Sequence, residues 1–548
     1  MSETVSTDLP ELDALVVGAG FSGLYMLHRL RNTLGMSALV LEAADDVGGT
    51  WYWNRYPGAR CDSESYFYSF SDRLSEDLLE EWTWSERFAG QPEILRYLQT
   101  VADRFDLRRD IRFRTTVTAA SWDDDAGRWL VDTQDGERFA ARFLVTAVGC
   151  LSTTNLPEFP GRDSFTGDWF HTGLWPHEGV DFTGKRVAVI GTGATGVQLI
   201  PEVAQEAAHV TVFQRTPNYD IAAGNHPVTP EFDRGIKDDY PQIWARTRKT
   251  AFGFPYDVAD RTALSVPEDE RQAIFEEAWA KGGFRLGTTF NDLLLDEDAN
   301  ETAAEFLRNK IRERVDDPEI AEMLAPKDHP FFTKRPPLEN GYYETYNRDN
   351  VTLVDVNRSP IEAITPAGVR TTDGEYEVDS IVYATGFDAM TGTLFKLGIT
   401  GRDGLTLAEK WAEGPRSYLG IATHGFPNLF MITGPQSPSV LSNMPVSIEQ
   451  HVDWVAGCLR HLREQGVARI EPTREAEDGW VAHHDEVTAT TLLPRANSWW
   501  VGANIPGKHR SLYPYVGGVG AYRGICDDVA AKGYEGFALS RAGAVAPA

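Results

Sequence analysis

Two glycine-rich segments hold the residue types with the most chemical content. The first, Gly18-Ala19-Gly20-Phe21-Ser22-Gly23, follows the apolar run Leu12-Asp13-Ala14-Leu15-Val16-Val17 and precedes Leu24, Leu27, Leu30 and Leu34 at amphipathic-helix spacing. A second apolar run, Ala38 to Leu41, ends at Glu42. Glycines let a backbone approach a pyrophosphate, a helix N-terminus attracts its charge, and an acid roughly 20 positions on accepts from a ribose hydroxyl. Strand, glycines, helix, strand and terminal acid together predict a dinucleotide site, where the glycines alone would say little. The second segment, Gly191-Thr192-Gly193-Ala194-Thr195-Gly196, lies between the strand Arg186 to Ile190 and a helix carrying Val197, Ile200 and Val203. The strand after it, Val210 to Gln214, ends at Arg215 where the first ends at an acid. Arginine there fits a 2′-phosphate and points to NADPH in preference to NADH. Thr216 adds a hydroxyl, and Lys334 with Arg335 can return to the same place; the alternative is a surface arginine beyond a strand.

Two further stretches lie around these sites. Asp46 to Asp62, dense in glycine, arginine and aromatic residues, reads as a loop, neither helix nor strand. Its rings can cover a flat ring system and Asp62 can orient a basic partner, although a surface loop packed on its own aromatics has the same composition. Phe165 to Pro176 has aromatics at 165, 169, 170 and 175, two glycines, and His171, which can change charge near neutral pH. It reads as a packed connector between the two nucleotide sites, with a hydrogen-bonded structural role for His171.

The elements that must position these residues fit a chain of several domains. At 548 residues the protein is too long for one core. Helical periodicity takes over from 225 to 331, with Ile274, Phe275, Ala278 and Trp279 on one face and Ala304, Leu307, Ile311 and Val315 on another. Strands resume at Val351 to Asp355, Val369 to Thr371 and Ile381 to Asp388, so the second nucleotide unit is interrupted and then continues. The expected fold is α/β: two Rossmann-like dinucleotide-binding domains with a helical insertion in the NADPH domain. FAD binding is expected from 1–155 and 387–548, NADPH binding from 156–224 and 332–386, and a helical subdomain from 225–331, and the C-terminal small-residue tail is expected to be loose. The net charge of −29 disfavours nucleic acid and anionic membrane as partners. Met1 to Asp8 has no basic region followed by an apolar core, and no run is long enough to span a bilayer, so a cytoplasmic protein is expected, as a monomer or weak oligomer. Cys61, Cys150, Cys458 and Cys526 are scattered, which argues against disulfides, a metal site and a paired-thiol centre.

Two dinucleotide sites in one chain imply a flavin reduced by a nicotinamide. A disulfide reductase would need a close cysteine pair by the first loop, and Trp51, Trp53 and the single Cys61 stand there instead. A monooxygenase remains. The segment from Phe165 to Pro176, of the form FxGxxxHxxxWP, is flanked by the two glycine motifs and followed by Ala384-Thr385-Gly386-Phe387-Asp388; this resembles the type I Baeyer–Villiger monooxygenases, flavoproteins that turn ketones into esters or lactones. The resemblance runs from about residue 12 to residue 540, and the loop Gly434 to Met444 is most similar to the phenylacetone and steroid monooxygenase branch. It implies FAD and NADPH as cofactors, with a small-molecule ketone and O2 as substrates. It places the catalytic arginine at Arg335, held by Asp62, where a permanent cation stabilises first a flavin peroxide anion and then a tetrahedral oxyanion. Lys334, Arg215 and Thr216 would take the 2′-phosphate and Trp499 the nicotinamide ribose, and His171 would have a hinge or conformational duty or a simple structural one. Further cofactor contacts are assigned to Gly18, Gly20, Ser22, Gly23, Glu42, Thr50, Trp51, Asp62, Tyr68, Val117 and Met444. On the second site they are assigned to Thr192, Gly193, Ala194, Thr195, Gly196 and Gln198. Pro336-Pro337 directly after Arg335 departs from expectation by stiffening a backbone that should slide. The rival readings are an N- or S-oxygenating flavin monooxygenase and a nucleotide-binding redox sensor that works through a partner.

Overall fold

A computed structural model describes residues 11–541. The N-terminal segment Met1 to Asp8 and the small-residue tail from 542 lie outside the described residues. Glu11–Val17 is a central strand of an eight-stranded sheet, parallel to Ala38–Leu41 on one side and Arg138–Thr146 on the other. Ala14, Leu15 and Val16 are wholly buried because both faces of this sheet are covered, which is why the strand reads as a continuous apolar run. Arg138–Thr146 carries two partners on its other edge. Arg128–Thr133 pairs antiparallel with its first half, and Leu429–Met431 pairs parallel with its second half. The chain thus returns to the first sheet after the second unit is complete.

The helix after the first strand spans Phe21–His28 and continues through a π-helical turn, Arg29–Thr33. It is not amphipathic: Phe21 through Leu27 are all buried, since the helix is enclosed between the sheet and the long helix Met444–Gln465. The aromatic segment expected as pure loop contains a one-turn helix, Thr50–Trp53, started by Gly49 at a positive φ of 52°.

The second sheet is all parallel, in the order Val351–Asp355, His209–Gln214, Arg186–Ile190, Ser380–Tyr383, Asp168–His171. The expected connector therefore supplies an edge strand of the second unit. Val369 to Thr371 lies outside this sheet, in an antiparallel meander of Ile361–Thr365, Gly368–Thr371 and Gly374–Glu377. The strand expected to run to Asp388 ends at Tyr383, and the chain turns at Gly386, whose φ is +75°.

Between these sheet segments the chain makes an excursion through the helices Pro230–Thr247, Glu268–Lys281, Glu297–Arg314 and Pro318–Leu324. Three of them start on side-chain caps. Thr229 accepts from the Phe232 N–H, Asp296 from Ala299, and Asp317 from Glu319 and Ile320, with Pro230 and Pro318 at first helical positions. Phe275, Phe306, Leu307 and Trp244 belong to their common core. At the base of the excursion, Ile221–Ala222 pairs in parallel with Leu338–Glu339.

The long helix Met444–Gln465 is tied to the aromatic part of the first unit by Glu449. The Ser71 N–H and hydroxyl donate to its two carboxylate oxygens at 2.7 and 2.6 Å. Burial pushes the Glu449 pKa up to about 7 against the pull of the Ser71 bonds, with Asp453 raising it further and Arg248 opposing. The folded protein therefore keeps a proton that the unfolded chain gives up near pH 4.5. Stability is lost as pH rises from about 4.5 to 7, by about 3 kcal/mol for this group. Glu449→Gln is expected to remove that loss: thermal unfolding should show a variant a few degrees more stable than the parent at pH 8 and no more stable at pH 5.

Candidate active site

A cavity of about 1320 Å³ opens between the two units, with a glycine cradle on each wall. Gly18 has φ +102°, and a Cβ there would sit 2.6 Å from the Ala147 carbonyl oxygen; Gly191 has φ +113° and would meet the Ala384 oxygen at 2.5 Å. Only glycine fits either position, and the helix N-termini behind Gly20 and Gly193 face the space so created. Gly23 and Gly196 do not line the cavity. Each lies where its helix crosses its own strand, and a Cβ would come within 1.8 Å of the Gly18 oxygen and 2.3 Å of the Gly191 oxygen, so these glycines permit close helix–strand packing. The Gly48-Gly49 pair, not singled out from the sequence, lets the aromatic loop dock on the first cradle: a Cβ on Gly49 would be 2.9 Å from the Gly20 Cα.

The remaining residues assigned to the first site, Ser22, Glu42, Thr50, Trp51, Asp62, Tyr68, Val117 and Met444, all line this cavity. Glu42 is buried, with the Ala19 N–H donating to one oxygen at 2.6 Å and the Ala44 N–H to the other at 2.8 Å. Burial pushes its pKa up while these backbone donors hold the charge. Trp51 donates its indole N–H to the Tyr68 hydroxyl at 3.2 Å. Met444 is the first residue of a helix of 22 residues, so the positive end of that dipole also faces the cavity, a feature without a glycine motif to announce it.

On the other wall, Thr192 to Thr195, Gln198, Arg215, Thr216, Lys334 and Trp499 line the same space. Gln198 reaches across to the first unit, accepting from the Tyr56 hydroxyl at 2.8 Å and donating to the Arg60 carbonyl at 3.1 Å. Arg215 is exposed and joins no ion pair among the described residues. Lys334 has Asp328 at 4.0 Å, and its pKa is pushed down by burial and by Arg215, with Asp328 opposing. Two cations that repel each other beside a glycine cradle fit a phosphate beyond the pyrophosphate.

Arg335 and Asp62 meet where the two walls converge. The Arg335 Nε donates to one Asp62 oxygen at 2.9 Å and Nη2 to the other at 2.8 Å, a bidentate pair. Nη1 donates to the Val440 carbonyl at 2.7 Å, and the guanidinium lies 5.4 Å from the Phe284 ring centroid. The side chain is deep in the molecule yet 24 % exposed, because the cavity reaches it. Burial opposes its charge, but Asp62 outweighs burial and holds the pKa above the ordinary arginine range. The Arg335 carbonyl accepts from the Asn218 amide at 2.8 Å, and the Ile221 N–H donates to the Pro337 carbonyl at 2.9 Å, so the backbone is fixed on both sides of Pro336-Pro337. Asn218, Val440 and Phe284 carried no sequence signal, because each acts through a fold-dependent neighbour. Cys61 and Cys150 also line the cavity, but burial pushes the first thiol far up and the second up to about 11, so neither is a thiolate at neutral pH.

His171 lies away from the cavity wall, 2 % exposed, at the end of its edge strand. Its Nδ1 accepts from the Gly173 N–H at 3.0 Å and its Nε2 is 3.4 Å from the Thr385 hydroxyl. Burial pushes its pKa down from the ordinary histidine range, with backbone hydrogen bonds at Asn155 and Gly386 opposing. Thr385 donates to the Asn155 carbonyl at 2.6 Å, and Thr154 bridges Phe387, so His171 stands where the two chain crossings between the units run side by side. Gly173 is needed there, since a Cβ would come within 2.7 Å of Phe387 and 2.9 Å of Thr154.

Residues 13–224 match the family described as flavin-binding monooxygenase-like. With two dinucleotide cradles on one cavity and no thiolate beside the first, the site is that of a flavin-dependent monooxygenase. A Baeyer–Villiger monooxygenase of Pseudooceanicola batsensis is 45% identical over 98% of both chains. A phenazine N-monooxygenase of Lysobacter antibioticus is 44% identical, also over 98% of each. Among solved structures, oxidized steroid monooxygenase bound to NADP superposes with a TM-score of 0.93 at 52% identity, covering 97% of this chain and all of that one. The chain belongs to the Baeyer–Villiger monooxygenases.

Asp62→Asn keeps the shape of the pair but removes its charge, leaving the Arg335 guanidinium without an anion. A loss of about 1–3 kcal/mol is expected, read as a lowered denaturant midpoint; an unchanged midpoint would show that the pair contributes nothing to holding the two walls.

Proposed function

We propose that the protein binds FAD in the first cradle and NADPH in the second, and inserts one oxygen atom of O2 beside a ketone carbonyl to give an ester or lactone. Ketone, O2, NADPH and a proton become ester, NADP⁺ and water. The observation that carries this reading is the Arg335–Asp62 pair, placed where both cradles converge. FAD, when bound, supplies the ring that NADPH reduces and at which dioxygen is activated. The chain's own residues do the rest. Gly18, Gly20 and Gly49 admit a pyrophosphate, Glu42 stands at the ribose end, and Trp51, Tyr68 and Met444 wall the ring. Arg215, Thr216 and Lys334 take the 2′-phosphate, with Thr192 to Thr195, Gln198 and Trp499 along the remainder.

Arg335 is a cation that does not lose its proton at working pH, so it stabilises negative charge on oxygen without quenching it. As the ketone carbonyl becomes tetrahedral, its oxygen takes a hydrogen bond from this guanidinium, and Asp62 and Val440 keep the donors aimed. His171 acts at the crossing between the units, where it coordinates their relative placement. Among the described residues no helix is long and apolar enough to cross a membrane. Four free cysteines accord with a reducing, cytoplasmic setting, and the strong negative charge with a monomer or weak oligomer.

A second reading, oxygenation at a heteroaromatic nitrogen, is favoured by the similarity to the phenazine N-monooxygenase. Product chromatography with NADPH and a panel of ketones and phenazines separates the two. Ester or lactone formation supports the first reading, and N-oxide with no ester replaces it.

Arg335→Ala is expected to accept hydride from NADPH while ester formation falls about 10²–10³-fold, as for loss of one oxyanion donor; normal ester yield would remove Arg335 from the role. Arg215→Ala loses a charge-assisted contact of about 1.5–3 kcal/mol. The ratio of kcat/KM for NADPH over NADH should fall accordingly, and an unchanged ratio would count against the 2′-phosphate site.

A further inference from the structure

Beside the Arg335 guanidinium is a small apolar chamber, lined by Phe252, Phe254, Phe284, Phe332, Val440 and Trp500. Its free space is about 20 Å³, room for a single water. Phe332 is one of the rings that wall it. Its centroid lies 6.2 Å from Phe284 and 6.3 Å from Phe252, and its ring fits only because residue 287 is glycine: a Cβ there would come within 2.5 Å of it. The backbone under this ring is strained. Phe332 has φ +66°, in the left-handed region that a bulky residue avoids. The strain is imposed from both sides. Asn300, on the helix Glu297–Arg314, receives the Phe331 N–H at 2.8 Å and donates to the Phe331 carbonyl at 2.9 Å, while the Thr333 N–H and hydroxyl both donate to the Pro330 carbonyl at 3.3 and 2.6 Å. The left-handed turn thus directs an aromatic side chain into the space next to the charge-stabilising arginine, where glycine would have relieved the backbone and left the chamber open.

We infer that Phe332 is a specificity-determining residue: its ring, held in place by Asn300, closes the chamber beside Arg335 and restricts the substrate to compact ketones. The inference rests on the ketone reading of Arg335. A ketone whose carbonyl oxygen meets the guanidinium and whose substituent enters this chamber would meet Phe332, since Arg335 and Phe332 line the same space. Plain core packing predicts something different, a variant weakened for every ketone alike with no change in the preference between compact and bulky ones.

The test uses the FAD-loaded protein and two probes, cyclohexanone and 4-phenylcyclohexanone. Phe332→Gly is expected to raise the ratio of kcat/KM for the bulky over the compact ketone at least tenfold, and Phe332→Leu to move it in the same direction by less. Thermal shift on addition of each ketone gives a readout independent of turnover: 4-phenylcyclohexanone should stabilise Phe332→Gly and leave the parent unmoved. A ratio within threefold of the parent in flavin-bound variants overturns the inference, as does an equal shift by the bulky ketone in parent and variant. If Phe332→Gly fails to hold flavin, Phe332→Leu decides by the same criteria. Should neither protein form ester while the bulky ketone still shifts only the variant, the chamber assignment stands and the reaction reading falls.

Discussion

A guanidinium and a carboxylate, brought together from positions far apart in the chain, fix the relation of everything around them. Withdrawing both charges from water is costly, and replacing such a pair by apolar residues is often neutral or stabilising, so the Arg335–Asp62 contact is poorly explained as a stability device. It makes sense as a device of position. Asp62 comes from the aromatic loop that docks on the first cradle through Gly49, and Arg335 comes from the segment that leaves the helical excursion. Two parallel hydrogen bonds between planar groups tolerate little rotation, so the geometry of each wall is read directly by the other.

Much of this was legible in the residues alone, for an identifiable reason. The glycine motifs, the strands before them, and the contrast between Glu42 and Arg215 are local signals, because a dinucleotide needs close backbone approach and a helix end within a few residues of each other. The apolar runs marked the sheets for the same reason: strands covered on both faces cannot hide their composition. What the sequence could not express was pairing across distance. Phe165 to Pro176 looked like a connector because its edge strand finds its partner in Ser380–Tyr383, far along the chain. The helix after the first strand looked amphipathic because its second covering layer is Met444–Gln465, from the other end of the protein. His171 gives no sign in the sequence of its burial, and Asn218, Val440 and Phe284 are ordinary residues except for where the fold places them.

Likeness to other sequences singles out Arg335 among many arginines, and the fold shows why that position suits an arginine: a cavity that reaches one side of the group, a carboxylate that fixes its plane, and backbone held by Asn218 before the rigid Pro336-Pro337 pair. That rigidity no longer looks anomalous. With Pro337 accepting from Ile221, the prolines lead straight into a strand pairing, and a stiff segment there holds the preceding cation at a set distance from the pairing.

The short parallel contact of Ile221–Ala222 with Leu338–Glu339 has a mechanical meaning. Because the helical excursion leaves and returns at one point, that contact joins its two ends, and Phe332, Lys334 and Arg335 all lie on the segment that ends there, while Asp62 lies on the opposite wall. A displacement of the excursion about that contact would carry the three side chains together. On the proposed reading, the grip on the 2′-phosphate, the placement of charge and the size of the chamber beside Arg335 would then change as one.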